Sequence, residues 1–248
     1  MSPFARYYFA APFEAYGPAH LGALGLILLA AWALYRWVRP SRSFHRALAI
    51  ALLTLQAAWV TWLAVVGAAS LQTVLPLHPC SASMFVGAAA LLTQRRGWMS
   101  TAYFWCISGA AAALLFPDLG LYGFPHFAFF HYMLSHGLLV CVSAALAADG
   151  FRPKARDFFL AWGAAQGFAL LVVIVNVLTH SNYMYLFAPP AGASPLGAVS
   201  NRWLYGLIVE AGVTLSFLAC WAAGRLIPPQ KSPQPPQSRP ESPTPPGG

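Results

Sequence analysis

Apolar runs near the length that crosses a lipid bilayer recur from residue 20 to residue 226. Six cover about 20–37, 46–68, 98–116, 125–147, 157–179 and 203–226. A shorter one runs from Pro79-Cys80 to Arg95-Arg96. Backbone in hydrocarbon must satisfy its own hydrogen bonds, which leaves helices as the form these runs can take. The expected fold is all-α, a polytopic membrane bundle of seven transmembrane helices over 20–227. Only 8% of residues are charged, against about 25% in soluble domains, and a soluble globular enzyme is excluded.

The charges give a direction. Arg36, Arg39, Arg42, Arg46, Arg95, Arg96, Arg152, Lys154, Arg156, Arg225, Lys231 and Arg239 fall after spans one, three, five and seven. Only Arg6 and Arg202 fall on the other side. Basic residues concentrate in cytoplasmic loops, so the N-terminus is expected outside and the C-terminus in the cytoplasm, in a cell membrane crossed many times. An even number of spans would put basic loops on both sides. The net charge of +8 therefore reads as topology and does not point to nucleic acid. Residues 1–19, with Phe4, Tyr7, Tyr8, Phe13 and Tyr16, suit an interfacial segment, and no cleavable signal peptide stands out. Residues 228–248 are rich in proline and serine and are expected to be a disordered cytoplasmic tail.

Polar residues inside an apolar bundle are costly and tend to mark function. The fifth span holds His126, His131 and His136. His136 lies deepest, whereas His126 sits at the helix mouth and reads as interfacial. His131 and His136 are five residues apart, too far round the helix to share one face, and that spacing argues against a metal site. No metal and no other cofactor is expected. His78 and Cys80 stand at the start of the short third run, Asn182 follows the sixth span, and Glu210 is the one carboxylate well inside a span. Counted at the helical rise from the cytoplasmic ends, Cys80, His136 and Glu210 stand at about 20–22 Å and agree within about a turn.

Cys80 has the setting of a nucleophile, since a thiolate at a helix N-terminus meets the positive end of the dipole. An imidazole in reach would complete an arrangement for covalent acyl transfer. The alternative is a small buried residue at a helix start. Glu210 is expected to pair with His136 or His131 or, as a protonated carboxyl, to bond a backbone carbonyl or Gln166. Asn182 reads as a cap or an oxyanion donor, with capping favoured. Gln56, Ser108 and Gln166 read as inter-helix hydrogen bonds.

Leu75-Pro-Leu-His78-Pro-Cys80, Tyr103-Phe-Trp105 with Gly109-Ala110, Leu114-Leu-Phe-Pro117-Asp118-Leu119, Phe124-Pro-His126 with Ser135-His136-Gly137, and Asn182-Tyr-Met-Tyr-Leu186 occur in this order. Together they resemble the bacterial YwaF-type integral membrane proteins, over residues 15–226. That family is similar to the eukaryotic transmembrane protein 164 family, acyltransferases that move an acyl chain between phospholipids through a cysteine and a histidine. The resemblance implies Cys80 as nucleophile and His136 as base; its polyunsaturated donor does not carry over, Glu210 has no counterpart in it, and a membrane lipid is the substrate expected here. The expected function is an intramembrane lipid acyltransferase or acyl-ester hydrolase. The alternatives are a proton-coupled transporter using His136, Glu210 and Asn182, or a structural membrane protein with a polar core. The oligomeric state is left open.

Overall fold

A computed structural model describes residues 2–189, 197 and 199–226; the proline-rich stretch 228–248 lies outside them. The described residues form seven α-helices: α1 (Pro18–Trp37), α2 (Arg42–Val65), α3 (Pro79–Thr93), α4 (Arg96–Leu115), α5 (Phe127–Ala148), α6 (Ala155–Thr179) and α7 (Arg202–Leu226), with one 3-10 turn at Tyr183–Tyr185. Six of them are long and apolar enough to cross a membrane, which makes this a multi-pass membrane protein. The exception is α3: its 15 residues rise only about 22 Å, short of the ~30 Å hydrocarbon core.

The boundaries follow local chemistry. Proline occupies the first turn of α1 and of α3, where its missing N–H is not needed. Ser41 caps α2 by accepting from the Phe44 N–H at 3.2 Å. His126 caps α5 through Nδ1, which accepts from the Ala128 N–H at 3.0 Å. Gln94 and His180 close α3 and α6 in the left-handed conformation, with φ of 52° and 53°.

α4 and α5 lie at the centre. α3 packs against α2 and α4, α1 against α5, and α6 and α7 against α4. Leu52, Phe104, Cys106, Leu139, Val142 and Leu146 are fully buried among them. Gly87 of α3 faces three helices at once: a Cβ there would stand 3.4 Å from both Cys106 Sγ and Val142 Cγ2, and 3.5 Å from Leu52 Cδ1. Small residues let helices approach in this way where burial from water offers no drive. The outer helices keep apolar side chains exposed, among them Leu28, Leu170, Leu178 and Leu207, as a lipid-facing surface requires.

Two polar clamps hold the end of the bundle that carries the basic loops. Asp157 at the start of α6 accepts from Arg96 Nε at 3.1 Å, from Ser100 Oγ at 2.7 Å and from the Lys154 N–H at 2.7 Å. His45 Nε2 lies 2.7 Å from Asp149 Oδ2, an ion-pair distance with the N–H off the hydrogen-bond direction. At the opposite end the N-terminal segment folds over the helix mouths. The Phe127 N–H donates to the Pro3 carbonyl (2.8 Å), the Gly123 N–H to Ala11 (3.0 Å), and Trp62 Nε1 to Phe4 (3.0 Å). α3 begins beneath this same end.

Candidate functional site

His78 is the N-cap residue of α3, Pro79 follows it, and Cys80 stands in the first turn. Ser83 Oγ donates to the Pro79 carbonyl at 2.7 Å and tightens that turn. The Cys80 thiol rests against α4 at Gly109, where a Cβ would lie 3.6 Å from Sγ. Deeper in the same interface the Cys106 thiol meets the Ser83 carbonyl at 3.6 Å.

His136 projects from α5 and is buried. Its Nδ1 lies 2.7 Å from the Tyr132 carbonyl one turn earlier. A carbonyl can only accept, so Nδ1 carries the proton and Nε2 presents its lone pair. The ring of Tyr132 lies 4.2 Å from that of His136, and its hydroxyl donates to the Ala113 carbonyl at 2.7 Å, tying α5 to α4. α3, α4 and α5 pack against one another; the thiol lies between α3 and Gly109 of α4, and Tyr132 and the imidazole of fixed tautomer lie on α5. Among the described residues no hydrogen bond joins Cys80 to His136.

The remaining polar residues take other places. His131 turns to α2, with Nε2 3.1 Å from the Leu55 carbonyl and its ring stacked 4.8 Å from that of Trp59. The expectation that His126 is merely interfacial is corrected. It is fully buried, with Nε2 donating to the Ala5 carbonyl at 3.0 Å and its ring stacked on Tyr122 at 4.6 Å. Glu210 does not hydrogen-bond a histidine. Its Oε1 accepts from Trp162 Nε1 (3.1 Å), Gln166 Nε2 (2.9 Å) and Thr214 Oγ1 (3.2 Å), which joins α7 to α6. The Gln166 alternative is the one that the structure contains, because the α6 donors lie nearer than any imidazole. Asn182 caps its own loop, accepting from the Phe187 and Ala188 N–H groups at 3.0 and 3.3 Å and donating to the Ala188 carbonyl at 2.8 Å. The His78 ring lies 5.2 Å from that of Tyr183 and 5.4 Å from that of Tyr185. Burial holds this imidazole below its usual range, which keeps it neutral.

Two residues escaped the sequence reading. Tyr132 is one turn before His136 on the same face, a spacing that could have flagged it. Asn176 is a buried amide inside the apolar run Leu170–Val177, and its polarity alone marks it as unusual at that depth.

No curated protein and no solved structure matches this chain. A family model does match, over residues 15–222, which include all seven helix starts and the Cys80 and His136 positions. By that match the chain belongs to the TMEM164 family.

Proposed function

We propose that this protein is an intramembrane acyltransferase acting on membrane phospholipids, with Cys80 as nucleophile and His136 as general base. The observation that carries this reading is the state of His136. With Nδ1–H committed to the Tyr132 carbonyl, Nε2 is the basic nitrogen, on a helix that packs against α3, which carries Cys80. Catalytic hydrogen bonds are often long before substrate binds, and an unjoined thiol and imidazole fit that state.

In the reaction, the thiol proton passes to His136 Nε2 as Sγ attacks the ester carbonyl carbon. The tetrahedral intermediate then breaks its carbon–oxygen bond. The departing lysophospholipid oxygen takes the proton back from His136, leaving a Cys80 thioester. An acceptor hydroxyl gives its proton to Nε2, attacks the thioester carbon and releases the Cys80 thiol. Gly109 supplies the space beside sulfur for the acyl carbonyl. With the basic loops placed in the cytoplasm, the site opens toward the outer leaflet of a bacterial plasma membrane.

The test is acylation of the purified protein in proteoliposomes containing a phospholipid with a radiolabelled acyl chain. Hydroxylamine-labile label is expected on wild type and absent from Cys80→Ala. His136→Ala should acylate more slowly by about 10²–10⁴. Label of equal strength on Cys80→Ala would remove Cys80 from the chemistry.

A further inference from the structure

The segment after α6 is anchored from three sides. Asn176 on α6 is buried; its Oδ1 accepts from Ser181 Oγ at 2.8 Å and the Tyr183 N–H at 2.9 Å, and its Nδ2 donates to the Tyr183 carbonyl at 2.9 Å. The Tyr183 hydroxyl reaches the chain that leads into α3, donating to the Leu71 carbonyl at 2.8 Å and accepting from the Leu75 N–H at 3.1 Å. From α7 the Tyr205 hydroxyl donates to the Tyr185 carbonyl at 2.9 Å. Between these anchors Met184 and Tyr185 hold φ values of 59° and 53°. Bulky residues seldom adopt that conformation, and two in succession persist only where the surroundings impose them.

This frame stands over the start of α3. Tyr183 and Tyr185 flank the ring of His78, two residues before Cys80. The Tyr183 bonds to Leu71 and Leu75 and the two ring contacts with His78 set the 181–188 segment against the chain that enters α3.

We propose that residues 181–188 form a fixed cap that determines reaction specificity: it withholds water from the Cys80 thioester, so that the acyl chain passes to a lipid hydroxyl arriving from the side. This rests on the acyl-transfer reading above and deepens it by naming the part of the chain that keeps water from the intermediate. The two outcomes share one intermediate. In hydrolysis a water oxygen attacks the thioester carbon and one water proton passes to His136 Nε2. The carbon–sulfur bond then breaks, a free fatty acid leaves, and sulfur recovers the proton. In transfer the attacking oxygen belongs to a lysolipid hydroxyl and the bookkeeping of protons is the same. Only access differs, and closing a site against water is how reactive intermediates are kept from hydrolysis. Tyr185 acts here as a specificity residue and Asn176 as a positioning residue.

The experiment uses the full chain in proteoliposomes with a radiolabelled phosphatidylcholine donor and a lysophospholipid acceptor. Its readout is the ratio of free fatty acid to newly acylated lysolipid. Tyr185→Ala and Asn176→Ala are expected to raise that ratio several-fold, while Tyr185→Phe, which keeps the ring and the backbone anchor, stays near wild type. Since Asn176→Ala can also weaken folding, Tyr185→Ala on the exposed side of the cap is the deciding variant. An unchanged ratio in Tyr185→Ala, with Cys80 acylated as in wild type, overturns the cap. Failure of wild type to acylate Cys80 overturns the acyl-transfer reading itself, and the cap with it.

Discussion

The Nδ1 of His136 lies 2.7 Å from the carbonyl oxygen of Tyr132, so one helical turn sets which nitrogen of this imidazole is protonated. The second nitrogen thereby keeps its lone pair, with no carboxylate partner needed to set the tautomer. Helices offer this arrangement only where a carbonyl is open to a side chain four residues on.

A prediction follows for His136→Asn. The asparagine amide sits where Nδ1 was and can still donate to Tyr132, but it places nothing where Nε2 was. The variant is expected to keep its melting behaviour, to within about 1 kcal/mol. Its single-turnover acylation of Cys80 should fall by about 10²–10⁴. Wild-type acylation in this variant would mean that Nε2 takes no proton.

His126 gives the molecule a pH dependence of known sign. Burial lowers this imidazole, and its bond to the Ala5 carbonyl acts weakly the other way. A base lowered by folding contributes stability that is complete above its unfolded value, about 6.5, and is lost as pH falls below it. The structural reason is visible: Nδ1 accepts from the Ala128 N–H, and a proton there would set two donors against each other. Tyr8 and Tyr122 pack on the ring, and the Tyr122 hydroxyl donates to the Arg6 carbonyl. Acidification should therefore loosen residues 2–13. Hydrogen exchange in that segment, corrected for intrinsic rates, should rise between about pH 7.5 and pH 5.5. His126→Asn retains a capping acceptor and should flatten the change; an equal change in that variant would place the titration elsewhere.

Helix positions were legible in the sequence because apolar run length and terminal proline or arginine carry them. Even the short third helix was marked, by Pro79 at one end and Arg95-Arg96 at the other. Partners were much less legible. His126, His131 and Glu210 each bind a group chosen by helix rotation and neighbour identity, which a single span's periodicity does not encode. Glu210 shows why: Trp162 and Gln166 stand four residues apart on α6 and offer two donors on one face, a pairing visible only once α6 and α7 are known to be adjacent. Asn176 and Tyr132 serve carbonyls or N–H groups of the backbone, and such contacts leave no complementary residue to look for.

Gly224 is a point where packing admits no side chain. A Cβ there would lie 2.5 Å from Pro153 Cγ and 2.8 Å from the Tyr103 hydroxyl oxygen. The proline ring cannot swing aside, so α7 would have to move away from α4. Gly224→Ala is expected to destabilise the bundle by about 1–3 kcal/mol, as overpacking does. A lowered thermal midpoint in detergent checks this, and an unchanged one would show that α7 docks more loosely than its contacts indicate.

Glu210→Gln separates an enzyme from a proton-coupled transporter. The three hydrogen bonds to Glu210 converge on Oε1, and glutamine supplies an equivalent carbonyl oxygen there. Glu210→Gln should therefore fold normally and acylate Cys80 at the wild-type rate. Glu210→Ala instead strands the Gln166 donor between α6 and α7 and leaves Trp162 only Thr214 Oγ1, and should cost about 1–3 kcal/mol. A proton carrier would behave in the opposite way, since glutamine has no proton to give up while the alanine variant's stability would be beside the point. Parallel measurements of Cys80 acylation and of proton uptake into proteoliposomes decide between them. Loss of both activities in Glu210→Gln, with its thermal midpoint intact, would make the carboxylate a working group and not a joint between α6 and α7.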